Sequence, residues 1–308
     1  MTDPARPLRA TERRNPRSVA IDSLDPLQLV QLFAAEDAGV PLAVGRAAEA
    51  IAAAMGLVEA AFRRGGRLCY IGAGTSGRLG VLDASECPPT FGTPPEMVQG
   101  IIAGGTAALV RSIEGAEDDR DAGAAAVDAR HLGPDDVLVG IAASGTTPYV
   151  GSALARARKR GVRTVFLTCA EPPEDVLQQS DVVIQVDVGP EVVTGSTRLK
   201  AGTATKLVLN ILTTGAMVRI GKTYGNLMVD LQATNAKLRD RGERIVMEVL
   251  GVPRDAATRA LEAAEGRVRT AIVMLHDDLD REAAEARLVA VDHRLRAIVG
   301  PPPEVDGG

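Results

Sequence analysis

Short apolar runs of strand length recur through the middle of the chain. They occupy residues 67–71, 97–103, 137–142, 164–168 and 182–188. Stretches of helical composition, such as residues 149–160, separate some of them. Continuous apolar runs are typical of parallel strands buried on both faces, and the intervening helices are typical of crossover connections. The pattern therefore predicts a doubly wound parallel α/β sheet.

Helical patterns flank this central region. Before it, residues 25–65 carry apolar side chains at spacings of three and four, and Asp25 can cap a helix that begins at Pro26. After it, the Leu, Val, Ile and Met residues within positions 201–220 indicate a long buried helix. Short amphipathic helices are then expected at residues 243–250, 254–264, 267–277 and 281–298. The last four indicate a small helical C-terminal module.

These patterns predict four parts of the chain. We expect the first part, residues 1–56, to contain a polar segment followed by the N-terminal helices. The sheet domain should follow over residues 57–222, the helical module over 223–300 and a tail over 301–308. The first 19 residues lack the apolar core of a signal peptide, and no later stretch reaches 18 uninterrupted apolar residues. We therefore expect a cytoplasmic protein with no membrane partner.

Composition and charge limit the classes of partner. The 308 residues are 45% hydrophobic but only 2% aromatic, so Ala, Val, Leu and Ile must build the core. A net charge of −5 without long single-sign blocks disfavours nucleic acid as a partner. The widely spaced Cys69, Cys87 and Cys169 argue against a disulfide framework and a structural zinc site, and they indicate a reducing compartment.

Three turns rich in glycine, serine and threonine follow predicted strands. We name them the first turn (residues 72–77, GAGTSG), the second turn (144–147, SGTT) and the third turn (194–197, TGST). One such turn alone is most simply a helix cap. Three at one edge of a sheet predict an anion site, because glycine admits the anion and helix N-termini attract negative charge.

The residues near these turns favour a sugar monophosphate over a nucleotide. No Walker lysine follows the first turn, which disfavours a nucleoside triphosphate. His131, His276 and His293 lie outside every turn, so histidine catalysis and a histidine-based metal site are disfavoured. Cys87 has no histidine nearby in sequence and is expected to be a packing residue.

Carboxylates are the remaining groups for proton transfer. Glu86 lies in the segment DASECPPT at residues 83–90, where the two prolines predict that the chain leaves the helix. Glu117 lies in the acidic segment 114–119, for which a solvated surface is the simplest interpretation. Two carboxyl groups in unlike environments could nevertheless act as an acid and a base.

At these residues the sequence resembles the N-acetylmuramic acid 6-phosphate etherases, a family with the sugar isomerase (SIS) fold. The resemblance extends over roughly residues 11–279, with the motifs in the order and spacing of the family. One departure is Thr146 in the second turn, where members of the family often have arginine. The matching segments are residues 70–80, 83–90, 114–118, 140–145, 191–198, 200–204 and 225–230.

The resemblance implies a lyase that converts N-acetylmuramic acid 6-phosphate into N-acetylglucosamine 6-phosphate and D-lactate during recycling of cell-wall sugars. In this scheme the open-chain sugar loses its C2 proton, lactate leaves from C3 and water adds. No cofactor and no metal are implied, and a homodimer is expected. The proton donor maps to Glu86 and the second catalytic carboxylate to Glu117, with Glu191 as a rival base. The residues expected to bind the sugar phosphate are Gly74, Thr75, Ser76, Ser144, Gly145, Thr147, Glu191, Thr194, Ser196 and Thr197.

Two other functions stay open at this point. An isomerase on the same fold would share the phosphate-binding turns but would not need an acid at Glu86. A sugar-phosphate-binding regulator without activity is the second alternative, because the glucokinase regulatory proteins resemble the etherases. Those regulators contain two SIS domains in a longer chain, whereas 308 residues accommodate only one.

Overall fold

Five parallel strands form one sheet in the computed structural model, which describes residues 9–231 and 236–304. The strands lie in the order β2-β1-β3-β4-β5, so the order reverses between β1 and β3. This arrangement confirms the predicted doubly wound parallel sheet. The strands are β1 (Leu68–Gly72), β2 (Val98–Ile102), β3 (Val137–Ile141), β4 (Arg163–Thr168) and β5 (Val182–Gln185).

Helices account for most of the remaining described chain. They are α1 (Pro26–Asp37), α2 (Val40–Arg46), α3 (Ala48–Arg63), α4 (Gly74–Phe91), α5 (Arg120–Ala129), α6 (Pro148–Lys159), α7 (Glu174–Leu177), α8 (Lys200–Arg219), α9 (Ala236–Leu250), α10 (Arg254–Ala263), α11 (Val268–Asp277), α12 (Arg281–Ala290) and α13 (Arg296–Val299). Short 3-10 helices lie at Ala10–Glu12, Pro16–Ser18, Ile21–Ser23 and Thr106–Leu109.

The described chain divides into two compact units. The first contains residues 9–85 and 95–215, and therefore the whole sheet together with the N-terminal helices. The second contains residues 86–94, 216–231 and 236–304. The four domains expected from the sequence remain a prediction. Residues 1–8 of the expected polar segment and 305–308 of the expected tail lie outside the described residues.

Each unit contains an apolar core. In the first, alternate residues of β1, Cys69 and Ile71, belong to a cluster that includes Phe166 of β4 and Leu154 of α6. All four side chains are almost fully buried, as expected for a sheet covered by helices. In the second unit, α9 to α12 enclose a separate cluster that includes Val246, Leu261, Ile272 and Leu288.

The N-terminal helices begin where capping chemistry predicts. The side chain of Asp25 accepts a hydrogen bond from the backbone N–H of Gln28, and the Gln28 side chain accepts one from the N–H of Asp25. This reciprocal capping box fixes the start of α1 at Pro26. The segment Pro26–Arg46 has the length and mean hydropathy of a membrane-crossing helix, which a helix of a water-soluble core can also have. In the structure it is divided between α1 and α2.

The prediction that the chain leaves the helix at Pro88 was wrong. Helix α4 continues through Pro88 and Pro89 to Phe91, and the N–H of Gly92 donates to the carbonyl oxygen of Pro88 at 2.9 Å. Proline has a φ that fits a helix, and its cost is the lost N–H donor and crowding of the preceding turn. Burial of Cys87 and Phe91 on the same helix offsets that cost.

The predicted helix over residues 281–298 is two helices. It breaks after Ala290, and α13 begins at Arg296. Between them, Asp292 and His293 adopt φ values of 54° and 57°. This left-handed conformation cannot continue an α-helix, and Asp and His tolerate it better than most residues do. The apolar spacing hid the break because apolar residues continue on both sides of it.

Candidate functional site

The first turn connects β1 directly to the N-terminus of α4. A Cβ on Gly77 would lie 2.6 Å from the carbonyl oxygen of Gly72, which is closer than real atoms approach. Glycine at this position therefore lets the helix begin at the end of the strand. Gly74 is the first residue of α4, and Thr75 and Ser76 are half-buried in its first helical turn. Their hydroxyl groups lie at the positive end of the helix dipole.

The second turn connects β3 to α6 at the same edge of the sheet. Gly145 has a φ of 83°, a conformation that favours glycine, and its N–H donates to the carbonyl oxygen of Ala142 at 2.9 Å. Thr147 precedes α6, and Pro148 is its first residue. Because β1 and β3 are parallel neighbours, α4 and α6 start side by side at the point where the strand order reverses.

The third turn reaches the same region through α8. A Cβ on Gly202, in the first turn of this helix, would lie 3.5 Å from both the Thr75 side chain and the carbonyl oxygen of Thr197. The start of α8 therefore contacts the first and third turns together. Ser196 and Thr197 are half-buried, whereas Thr194 is exposed. The expected convergence of the first and third turns is consistent with these contacts.

The N-terminal segment, residues 9–24, lies along the second and third turns. Arg9 donates from Nη1 to the carbonyl oxygen of Ser144 at 3.0 Å and to the hydroxyl oxygen of Thr146. The N–H of Gly195 in the third turn donates to the carbonyl oxygen of Thr11 at 3.0 Å. Sequence reasoning treated this segment as a polar terminus and missed Arg9 as a site residue.

Glu117 lies beside the first and second turns. A cavity of about 290 Å³ is lined by Glu114 and Glu117 together with Gly74 of the first turn. The carbonyl oxygen of Glu117 accepts a hydrogen bond of 3.0 Å from the N–H of Tyr149, in the first turn of α6. Glu114 and Glu117 are exposed, as expected for a solvated acidic segment. The backbone of this segment is also fixed at a helix start next to the second turn.

Arg78 holds the wall of this cavity in place. It lies on α4 directly after the first turn and is one of the residues that line the cavity. Its Nε donates to the carbonyl oxygen of Leu109 and its Nη2 to that of Arg111, both at 3.1 Å. These bonds fasten the loop before the acidic segment to α4. Arg78 was part of a matched motif but was not selected from the sequence as a site residue.

Glu86 lies on the C-terminal part of α4 and is exposed. It belongs to the second compact unit, whereas Glu117 and the three turns belong to the first. The pairing of Glu86 with Glu117 therefore stays a prediction. Its neighbour Cys87 is buried, as a packing residue is.

Glu191 is fully buried and caps α8. Its Oε2 accepts a hydrogen bond of 3.0 Å from the N–H of Lys200, and its Oε1 accepts one of 2.9 Å from the N–H of Ala201. Burial raises the pKa of the Glu191 carboxyl, and the two backbone hydrogen bonds offset part of that rise. Both carboxylate oxygens are engaged by a helix N-terminus.

An ionic network around the buried carboxylate of Glu36 lies next to this cap. The Nζ of Lys200 lies 2.7 Å from Oε2 of Glu36, which also accepts a hydrogen bond of 2.8 Å from Asn15. Arg17 lies 3.1 Å from the other oxygen of Glu36. Burial by itself would raise the pKa of Glu36, but the bonds and charges of Lys200, Asn15 and Arg17 outweigh it and lower that pKa.

Asp83 links three elements of the first unit and was also missed as an individual residue. Its Oδ2 accepts from the hydroxyl of Tyr70 on β1 at 2.9 Å, and its Oδ1 accepts from Asn210 at 2.7 Å and Thr213 at 3.3 Å on α8. Burial raises the pKa of Asp83, and the bonds from Asn210, Tyr70 and Thr213 oppose that rise. Asp83 therefore orients α4, whose first residues form the first turn.

Among residues 9–231 and 236–304, no group of three His, Cys, Asp or Glu side chains is arranged to hold a metal ion. Cys69 and Cys169 are buried, and burial raises the pKa of each thiol to about 12. Their thiols therefore stay protonated near neutral pH and are poor nucleophiles.

Comparison with known proteins finds relatives along nearly the whole chain. This chain is 58% identical over 287 residues to the N-acetylmuramic acid 6-phosphate etherase of Gloeobacter violaceus, and the match covers 93% of this chain and 94% of that protein. It is 53% identical over 294 residues to the etherase of Rhodopirellula baltica, covering 96% and 97%. Residues 49–158 match the model of the glucokinase regulatory protein N-terminal SIS domain. A phosphoheptose isomerase structure from Neisseria gonorrhoeae is 18% identical, with a TM-score of 0.49 over 62% of this chain and 98% of that one.

Proposed function

This chain belongs to the N-acetylmuramic acid 6-phosphate etherase family, and on that premise we propose that it cleaves the D-lactyl ether of N-acetylmuramic acid 6-phosphate. The products are N-acetylglucosamine 6-phosphate and D-lactate, which makes the protein a carbon–oxygen lyase. The family predicted from the motifs is thereby confirmed. The observation in the structure that carries the proposal is the cavity that Glu117 shares with the first turn.

The first two turns supply the phosphate-binding part of the proposed site. The helices α4 and α6 begin at adjacent strand ends, and α8 begins against the first turn. The first helical turn of α4 presents N–H groups and a partial positive charge. In α6 the N–H of Tyr149 is already bonded to Glu117, and in α8 the first N–H groups are bonded to Glu191. A phosphoryl group at the point of strand reversal would therefore receive the N–H groups at the start of α4 and the hydroxyl groups of Thr75, Ser76 and Ser144.

Proton removal from C2 is the first chemical step. The aldehyde of the open-chain sugar acidifies this carbon, and the electron pair of the C–H bond moves toward the carbonyl oxygen as the base takes the proton. We assign the base to Glu117, because its loop lines the cavity and is fastened to the start of α6. Backbone N–H groups of the turns stabilise the developing enolate.

Glu191 is the alternative base, but its surroundings favour a structural role as the cap of α8. Both of its carboxylate oxygens accept hydrogen bonds from the start of α8, and the residue has no exposed surface. A base must reach the proton that it removes, within about 3 Å or through one water. Glu191 therefore supports the proposed site by capping α8, and Glu117 is the better candidate for C2.

Departure of lactate needs an acid, because an alkoxide is a poor leaving group. As the enolate electrons form the double bond between C2 and C3, the C3–O bond breaks and the ether oxygen takes a proton. We assign this proton to Glu86, the position that matches the proton donor of the family. Water then adds at C3, and a proton returns to C2, which gives N-acetylglucosamine 6-phosphate.

We extend the proposal to the assembly and its location. Leu27, Val30 and Leu42 on the N-terminal helices are 66%, 65% and 70% exposed, which supports a homodimer through an apolar surface. Light scattering should give twice the chain mass of 32.1 kDa, and a single chain mass would contradict the dimer. Cys69, Cys87 and Cys169 are buried and are not joined in disulfides, which supports a reducing, cytoplasmic location.

The proposed activity is tested by D-lactate release from purified protein. N-acetylmuramic acid 6-phosphate should yield D-lactate and N-acetylglucosamine 6-phosphate in equal amounts. The same sugar without its phosphate should react far more slowly, because the turns would lose the group that positions it. Absence of D-lactate, or conversion of a sugar phosphate from aldose to ketose instead, would contradict the proposal and favour an isomerase.

A further inference from the structure

We propose that Arg9 binds the phosphoryl group of the sugar phosphate, as a cation that the N-terminal segment places on the second turn. Its Nη1 donates to the carbonyl oxygen of Ser144 at 3.0 Å and to the hydroxyl oxygen of Thr146. These bonds hold the guanidinium charge at the carboxyl end of β3, next to the point where the strand order reverses. The identity of the anion rests on the proposed function.

The N-terminal segment is anchored so that Arg9 has a defined position. Thr11, Asn15 and Ser18 are buried, which is uncommon for polar residues. The carbonyl oxygen of Thr11 accepts from Gly195 of the third turn, and the hydroxyl of Ser18 donates to the carbonyl oxygen of Val192 at 2.7 Å. The segment is therefore fastened to the loop of the third turn, and from there it extends Arg9 to the second.

The charge of the proposed site gives Arg9 a specific task. The three turns contain no lysine or arginine, so their own contribution to a dianion comes from dipoles and hydroxyl groups. Arg78 directs its guanidinium to the carbonyl oxygens of Leu109 and Arg111, and the Nζ of Lys200 is held by Glu36. Arg9 is bonded directly to the second turn, where its planar N–H groups suit phosphoryl oxygens.

The chain offers a matched control on the same segment. Arg14 carries the same charge, is exposed, and lies five positions further along. Arg9→Ala and Arg14→Ala therefore remove equal charge from one short stretch, and only the first removes the bonds to Ser144 and Thr146. Arg9→Lys keeps the charge but loses the planar guanidinium group. Its affinity for the sugar phosphate should therefore lie between those of the wild type and Arg9→Ala.

The test measures binding of the reaction product, which carries the phosphoryl group but no lactyl carboxylate. By calorimetry, Arg9→Ala should bind N-acetylglucosamine 6-phosphate about tenfold more weakly than the wild type, because a charge-assisted bond at a half-buried position is lost. Arg14→Ala should bind within about twofold of the wild type. In turnover assays Arg9→Ala should raise KM with little change in kcat, since the phosphoryl group is held equally before and during reaction.

Unchanged product binding by a folded Arg9→Ala variant would overturn the proposal. The same conclusion follows if Arg9→Ala weakens only N-acetylmuramic acid 6-phosphate, because the contact would then be to the lactyl carboxylate. A melting temperature equal to that of Arg14→Ala would show that weaker binding is not unfolding. If the wild type bound the product but released no D-lactate, the etherase function would fail while the binding test of Arg9 stayed valid.

Discussion

The carboxylate of Glu191 and the backbone N–H of Lys200 are joined by a hydrogen bond of 3.0 Å across nine positions of the chain. A second bond of 2.9 Å joins the same carboxylate to the N–H of Ala201. The pair closes the loop that carries the third turn and satisfies two N–H groups at the start of α8. The shape of this loop therefore depends on a charge that is buried against a helix N-terminus.

Replacing Glu191 should first reduce stability. Glu191→Gln places an amide NH₂ group against a backbone N–H, so at least one of the two hydrogen bonds is lost. We expect a decrease of about 1–3 kcal/mol in the free energy of unfolding, measured by urea titration. Full stability combined with complete loss of D-lactate release would contradict the capping role and make Glu191 the base.

The buried ion pair of Lys200 and Glu36 predicts that substitutions of these two residues have coupled effects on the free energy of unfolding. Their side chains are only 5% and 7% exposed, so Lys200→Met leaves the Glu36 carboxylate without its nearest cation. The single change should cost about 3 kcal/mol of unfolding free energy. Adding Glu36→Gln should cost less than the sum of the two single changes. Additive losses in this double-mutant cycle would contradict the coupling.

The lowered pKa of Glu36 predicts a component of acid sensitivity. Its folded-state pKa lies below the ordinary value of 4.5, so the ionised form is favoured in the native protein. The resulting stability is present above pH 4.5 and is lost as pH falls through the folded pKa. The difference in unfolding free energy between the wild type and Glu36→Gln should therefore shrink below pH 4.5. A difference that is constant from pH 6 to pH 3 would contradict the pKa direction.

Variants of Glu86 and Glu117 should lose catalytic activity while they still bind the sugar phosphate. We expect Glu86→Gln to abolish D-lactate release, by at least about a hundredfold, while N-acetylglucosamine 6-phosphate still binds. Glu117→Gln should in addition stop exchange of the C2 proton with deuterated water, followed by NMR. Undiminished exchange in Glu117→Gln would remove it as the base. Loss of product binding in Glu86→Gln would make that residue structural.

The strands and the turns were predictable because their signals are local. Apolar runs at strand length and the glycine, serine and threonine clusters after them can each be read within about ten residues. The contacts of Arg9 and Asp83 could not be read in this way, because Ser144 lies 135 positions from Arg9 and Asn210 lies 127 positions from Asp83. No local pattern carries such pairings, and a polar side chain gives no sign of its own burial.

The course of α4 shows where local rules are overruled. Pro88 and Pro89 predict a break, but burial of Cys87 and Phe91 offsets the hydrogen bonds that the prolines remove. In the acidic segment, charge predicted a solvated surface, and Glu114 and Glu117 are exposed as expected. Its placement beside the first turn depends on the bond between Tyr149 and Glu117, which the sequence does not reveal. Tertiary contacts therefore decided the course of α4 and the position, but not the exposure, of the acidic segment.

Incubation with N-acetylmuramic acid 6-phosphate in water enriched in heavy oxygen tests elimination and water addition most directly. Mass analysis of the products should find the label in N-acetylglucosamine 6-phosphate, at C3, and none in D-lactate. Glu86→Gln should form neither product. Label in D-lactate would mean that the bond on the lactyl side of the oxygen had broken, and this would contradict the mechanism proposed for Glu117 and Glu86.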